Sequence, residues 1–294
     1  MLTLFPLPHQ LGTLAWLWAT LCLLTATTVS AQAQPVPVNS MAYATVDEKT
    51  FYVHGGFGGK LAVSQFFSLD LTQESWNVSS PPWRQLTYPS HLGDAPYDHS
   101  MTVSLDGRTL TIWSSLSNLI ADYSIMDKKW TKWPLILDLE GFPLIAADPT
   151  TETVFILKPT YLSKYNAASG FSSEAIPPSV VNNQYISSFV RSEFRKSFIL
   201  CTGTDNTPST FHEYTPSNGQ WKALSTTGSM PPMRYSRCMV PAYEGTKMIL
   251  FGGGDDPPGK VYGDIHILDM LSMRWTKGKS APIARKGMAC TVAG

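Results

Sequence analysis

"TKMILFGGGDD", residues 246–256, is an apolar run that stops in three glycines. Met248, Ile249, Leu250 and Phe251 have the composition of a short buried strand. Glycines placed directly after a strand mark a bulge or sharp turn, where the backbone takes positive φ or passes close to another segment. A phosphate-cradling loop would need a Lys-Ser/Thr pair and a following helix, and neither comes after Gly252 and Gly253. The structural reading gains force if the stretch recurs.

It does recur. "MPPMRYSRCMVPAYEGTKMILFGGGDDPPGKVYGDIHILDMLSMRWTKG" (230–278) reads as a strand, a turn, a glycine-ended strand, a loop, a third strand ending in Asp, a turn and a tryptophan. "MAYATVDEKTFYVHGGFGGKLAVSQFFSLDLTQESWNVS" (41–79) has the same order, with "TFYVHGG" against "KMILFGG" and "FFSLDLTQESW" against "IHILDMLSMRW". Weaker copies lie at 98–133, where Ser114-Ser115 replaces the double glycine, at 144–174, and at 189–224, which keeps Gly203. Aromatic markers at Trp76, Trp130, Phe171, Trp221 and Trp275 give a period of about 50 residues. Short strands at that period, with no amphipathic helix of useful length, predict an all-β propeller of four-stranded blades.

The pattern P-x-M-R…C-M-V…M-I-L-F-G-G…H-I-L-D…R-W resembles the kelch repeat, as found in the galactose oxidase/kelch-like superfamily. The resemblance covers about 40–294; the first and fifth copies carry it best and the third least. It implies five recognisable blades, roughly 41–90, 91–138, 139–180, 181–228 and 229–280. In this reading Gly55-Gly56 and Gly252-Gly253 end an inner strand of each blade. The repeat tryptophans Trp76, Trp130, Trp221 and Trp275 fill the wedge between sheets. Trp83, Trp113 and Trp133 lie off the repeat position and are candidates for a surface role. "SAPIARKGMACTVAG" (280–294) aligns with "SMPPMRYSRCMVPAY", so 281–294 would be the first strand of a sixth blade, leaving the ring incomplete and the protein truncated at its C-terminal end.

Residues 1–33 differ in kind. "LGTLAWLWATLCLLTATTV" (11–29) is apolar, and Ala31-Gln32-Ala33 has the small-x-small form of a signal-peptidase site. The expectation is a signal peptide over 1–33, a flexible lead-in over 34–40, a secreted or cell-surface propeller of fungal type, and no membrane span in the mature chain. The alternative is a membrane anchor, either this segment left uncleaved or one beyond position 294. Asn77-Val78-Ser79 is a glycosylation sequon. The 22 basic residues balance 22 acidic ones, without the basic excess of a nucleic-acid binder.

Chemistry-bearing residues are scattered. His9, His54, His91, His99, His212 and His266 show no metal-site spacing, and no metal or other cofactor is expected. The copper oxidases of the superfamily imply two histidines, two tyrosines and a cysteine linked to one tyrosine, a set that Cys201, Cys238 and Cys290 do not suggest. Cys238 and Cys290 occupy equivalent positions in successive repeats, a poor prospect for a disulfide; Cys201 with Cys238 stays open. The binding surface is expected in the loops after the glycines, at 56–65, 114–122, 202–210 and 253–264. Asp205, Asp255, Asp256, Lys260 and Tyr262 are its polar handles. The function implied is a non-enzymatic protein-interaction module; a copper enzyme or a carbohydrate-binding propeller is the alternative.

Overall fold

A computed structural model describes residues 33–77, 79–94, 96–134, 144–181, 185–203, 208–255 and 259–292. The expected signal segment, apart from Ala33, lies outside them. So do Asp205 and Asp256. The protein folds into a five-bladed β-propeller of small antiparallel sheets. The first blade holds β1 (Ala42–Val46), β2 (Thr50–His54), β3 (Phe66–Asp70) and β4 (Trp83–Gln85). The second holds β5 (Ser100–Val103), β6 (Thr109–Ser114), β7 (Leu119–Ser124) and β8 (Lys129–Lys132). The third holds β9 (Leu144–Asp148), β10 (Thr153–Leu157), β11 (Tyr161–Asn166) and β12 (Gly170–Ala175). The fourth holds β13 (Tyr185–Ser192), β14 (Ser197–Gly203), β15 (Thr210–Thr215) and β16 (Gln220–Leu224). In the fifth, β18 (Cys238–Ala242), β19 (Lys247–Phe251), β20 (Ile265–Asp269) and β21 (Arg274–Lys277) are joined by β17 (Thr227–Gly228), which pairs parallel with β21.

The first strand of each blade lies at the axis, because β1 packs on β5, β5 on β9, β9 on β13 and β13 on β18. The core is the set of wedges between neighbouring sheets. Tyr52 and Phe66 meet Leu110, Ile112 and Tyr123 between the first two blades. Phe155 meets Phe198 and Tyr214 between the third and fourth. Ile199 and Phe211 meet Leu250, Leu268 and Trp275 between the fourth and fifth. Strand alternation dictates this, since each blade offers one set of alternate side chains to each neighbour.

Two expectations about the motif are corrected. The glycines end the second strand of a blade, one place out from the axis; Gly55, Gly56, Gly252 and Gly253 have φ of 63°, 108°, 66° and 91°. The repeat tryptophan of the first blade is Trp83, which pairs with Leu69 as Trp275 pairs with Leu268 and Trp221 with Tyr214. Trp76 sits in the connection between β3 and β4 and is 37% exposed. The three tryptophans expected at the surface are packed instead. Trp113 is fully buried and its Nε1 donates to Thr102 Oγ1 at 2.8 Å. Trp133 rests on Trp113 and Tyr165, and Trp83 on Phe51 and Phe67. Each pairs or packs inside a sheet wedge, where a large ring removes the most apolar area from water.

The seam between the fifth and first blades is built differently from the other four. Residues 285–291 run between β18 and β1. Gly287 N–H donates to Ser236 O at 2.8 Å, and Ser40 N–H donates to Gly287 O at 3.2 Å. Asp98 N–H donates to Ser40 O at 2.9 Å in the same manner between the first and second blades. Ser40, Asp98, Ser236 and Gly287 all have positive φ just ahead of an axial segment. Residues 285–291 therefore hold the axial position that the sequence assigns to a further first strand. Cys238 and Cys290 form a disulfide across this seam, with Cα atoms 6.4 Å apart. That corrects the expectation from repeat equivalence. Close to the axis the circumference is small, so equivalent residues of successive blades come within bridging distance. Cys201 is a buried thiol outside any disulfide.

Candidate functional site

Antiparallel order places the second-to-third and fourth-to-first connections of every blade on one rim. The glycine loops are on that rim. Only two of the four expected loops are long. The connection after β6 is a turn, because Leu119–Asp122 already belong to β7, and Ser117 Oγ donates to Ser114 Oγ at 2.9 Å to close it. The loops after His54 and after Phe251 are the long ones, and they flank the seam filled by 285–291.

Of the polar handles, the structure brings Asp255, Lys260 and Tyr262 together. Tyr262 Oη donates to Asp255 Oδ2 at 3.0 Å, and that bond raises the phenol pKa above its usual value. Lys260 Nζ stands 5.0 Å from the Tyr262 ring centroid, and the Arg234 guanidinium stacks 3.7 Å from it. Arg234 is buried and grips Asp264 with both terminal nitrogens, Nη2 to Oδ2 at 2.9 Å. His266 Nδ1 donates to Ser229 O at 2.9 Å, leaving Nε2 facing Asp264 Oδ2 at 3.1 Å. The hydrogen bond from Arg234, with help from His266, holds the Asp264 carboxyl well below the usual carboxylate range. Arg234 pins the loop from below, and Asp255 and Lys260 remain exposed above. Sequence reasoning named the exposed members and missed Arg234 and Asp264. The signal was present: Arg234 stands in the motif itself, beside the Pro-Pro that opens the repeat.

A second buried arginine supports the neighbouring loop. Arg237 Nη1 donates to Ser209 Oγ at 2.7 Å and Nη2 to Cys201 Sγ at 2.7 Å. It ties β14 of the fourth blade to the start of β18.

Against this floor lies a groove of about 560 Å³, lined by Val38, Asn39, Phe57, Ser236, Lys286 and Gly287 among others. Four segments distant in sequence build it: the lead-in, the first-blade loop, the turn before β18, and 285–291. Asn39 and Phe57 exchange both backbone hydrogen bonds, at 3.1 and 2.8 Å. Phe57 also leans on Tyr97, with ring centroids 5.1 Å apart. Lys286 lies over Gly254, where an added Cβ would come within 3.0 Å of its Cδ. Groove and fifth-blade loop thus adjoin in one surface of mixed polarity, where Val38 and Phe57 lie beside Asn39 and Ser236 and the edge carries Lys260, Lys286 and Asp255.

Elsewhere the structure joins His54 and His99, whose Nδ1 and Nε2 are 2.9 Å apart and buried. His212 is buried on β15, and burial lowers its pKa. His91 stands exposed in a 3₁₀ turn at Ser90–Leu92. Among the described residues no three His, Cys, Asp or Glu side chains converge as a metal centre needs. The donor set of a copper oxidase is not assembled among them. Tyr43 Oη lies 3.9 and 3.8 Å from the sulfurs of Cys238 and Cys290, which are bonded to each other. Asn77 is exposed, its Oδ1 accepting from Ser79 N–H at 2.9 Å. No helix of the described residues is long and apolar enough to cross a membrane.

No protein-family model matches the sequence, and no curated protein is significantly similar to it.

Proposed function

We propose that the protein is a secreted or cell-surface kelch-type propeller that holds a protein partner on its glycine-loop rim and carries out no catalysis. The observation that carries this reading is the continuous surface made by the groove and the fifth-blade loop. Its floor is fixed by the Asn39–Phe57 bridge and by the buried Arg234–Asp264 pair, and its edge offers exposed Lys260, Lys286 and Asp255. A concave surface that sets a partly exposed aromatic-aliphatic pair, Phe57 and Val38, among polar and charged groups has the mixed composition of a non-obligate interaction site. The apolar segment 11–29 with its Ala31-Gln32-Ala33 site supports export, and the exposed Asn77 sequon suits an exported protein.

Comparison of the two rims tests the reading. A photo-crosslinker at position 57 should capture a discrete protein partner from native extracellular material. Phe57→Ala with Lys286→Glu should abolish that capture. Tyr243→Ala, on the opposite rim and 70% exposed, should leave it unchanged. Equal loss from both rims, or binding confined to oligosaccharides on a glycan array, would overturn the protein-partner reading in favour of nonspecific adhesion or a lectin. Mature protein that starts well before Gln34 would remove the secretory part.

A further inference from the structure

His54 ends β2 of the first blade, and His99 lies just ahead of β5 in the second. Both are buried, are far apart in sequence, and meet only because the blades pack together. His54 Nδ1 and His99 Nε2 are 2.9 Å apart. Two nitrogens at that distance share one proton, so one ring donates and the other accepts. Among the described residues the outer nitrogens, His54 Nε2 and His99 Nδ1, have no hydrogen-bond partner, and neither has the nearby Tyr88 hydroxyl. The cage around the pair is aromatic. His54 packs on Tyr88, Phe66 and Trp130, with ring centroids 4.6, 5.6 and 5.6 Å away. Gly55 makes room for the second ring, since a Cβ there would lie 2.8 Å from His99 Cε1 and 2.2 Å from Pro96 O.

The charged and titratable groups around the cage do not compensate a cation inside it. β3 offers Phe66, β8 offers Trp130, and the β4–β5 connection offers Tyr88, whose phenol is pushed up to about 12 by burial and the nearby Asp94 charge. Tyr123 on β7 stacks edge-on to Phe66, and the Arg84 charge acts on Tyr123 from β4. Asp98 directly precedes His99. Among the described residues no carboxylate is hydrogen-bonded to either imidazole, and burial lowers the His54 pKa to about 3. Burial, followed by repulsion from His54, lowers that of His99. An added proton brings both a charge and a second unmatched N–H into an apolar site.

We infer that the His54–His99 pair is an acid-labile latch between the first and second blades: it holds that seam closed while both rings are neutral, and protonation opens it. The direction follows from linkage. In the opened seam each imidazole takes a proton near its ordinary value of about 6.5; in the closed seam neither does until far lower. The latch is therefore at full strength above about pH 6.5 and weakens as pH falls. Each histidine then lowers the closed-to-open ratio by up to about tenfold per pH unit.

The test is hydrogen–deuterium exchange of the wild-type protein at pH 7.5 and 5.0, corrected for intrinsic rates. Peptides covering 50–56 and 97–103 are compared with peptides from the third–fourth seam. Protection at the first seam should fall at least tenfold more than at the reference seam. His54→Phe with His99→Leu, a neutral pair that follows Phe251 at the matching site of the fifth blade, should remove the excess. Nitrogen NMR of labelled histidine in the wild type gives a readout that does not depend on the variant folding. Both rings should stay neutral in the closed form at pH 5.5. Titration of either ring near 6.5 within the closed seam, or an equal loss of protection at both seams, overturns the latch.

Discussion

The first and fifth blades carry the same glycine pair at the same place and fill the space over it in different ways. In the first, a Cβ on Gly55 would strike Pro96 O and the His99 ring. In the fifth, a Cβ on Gly252 would strike Arg285 O and the Met288 methyl. Gly56 N–H donates to Pro96 O at 3.2 Å, and Gly253 N–H to Arg285 O at 2.9 Å, so the backbone solution is one and the same. The side groups differ. The first blade buries a neutral imidazole pair there, whereas the fifth buries an arginine on a carboxylate. The repeat specifies where the next segment must touch the glycine; the residues arriving with that segment decide what the contact does. One consequence is a split in acid response. The imidazole pair loses its contribution below about pH 6.5, while a carboxylate held low keeps its own until about pH 4.

Breaking the fifth-blade side has the largest expected effect when the seam itself is cut. Cys290→Ser removes a crosslink spanning a sequence separation of 52, for which chain entropy gives about 4 kcal/mol. Urea unfolding should show that loss in oxidising buffer and no difference between wild type and variant in reductant. Unchanged stability, with thiols at 238 and 290 reactive in the native protein, would mean the seam is not held this way. The matched glycine changes come next. Gly55→Ala should cost about 3 kcal/mol, from positive φ combined with a backbone and ring clash. Gly252→Ala should cost about 2 kcal/mol, because one of its two obstacles is a flexible methionine end. If the order reverses, the contact over Gly55 is softer than the Pro96 and His99 geometry implies.

Arg234→Gln probes the charged arrangement directly. Asp264 would keep only His266, and the Tyr262–Asp255 rim would lose the guanidinium beneath it. A cost of about 2 kcal/mol is expected, below that of a fully buried pair because Asp264 is partly solvated. Asp264 has its folded value depressed, so the wild-type advantage should hold from pH 8 to 5 and shrink only as pH falls below about 4. A wild-type advantage already absent at pH 7 would show that Arg234 does not hold the Asp264 carboxylate in solution.

The blades were legible because strand ends are marked locally: glycines after "TFYVH" and "KMILF", and an Asp closing β3 and β20. Even the weakest copy forms its sheet, since alternation over 144–174 suffices without the glycine pair or a tryptophan. What depended on the distance between blades was not legible. His54 and His99 meet across a seam, and no spacing along the sequence announces that. Cys238 and Cys290 looked too far apart because equivalence between repeats says nothing about how closely strands crowd at the axis. Asp255 and Tyr262 could be picked out as exposed handles, but Arg234, which fixes them, read as part of the repeat.

The tryptophans offer the smallest and sharpest test of repeat reading against structure. Counting residues from the Asp that ends β3 points to Trp76, and pairing points to Trp83. The difference arises because the β3–β4 connection of the first blade, 71–82, is longer than the matching 270–273 of the fifth. Trp83→Ala should cost about 2 kcal/mol, through lost contact with Phe51 and Phe67. Trp76→Ala, in an exposed connection, should stay within about 0.5 kcal/mol. Paired urea titrations separate the two. A larger loss at Trp76 would require the connection to fold back on the sheet and would restore the count along the sequence as the better guide.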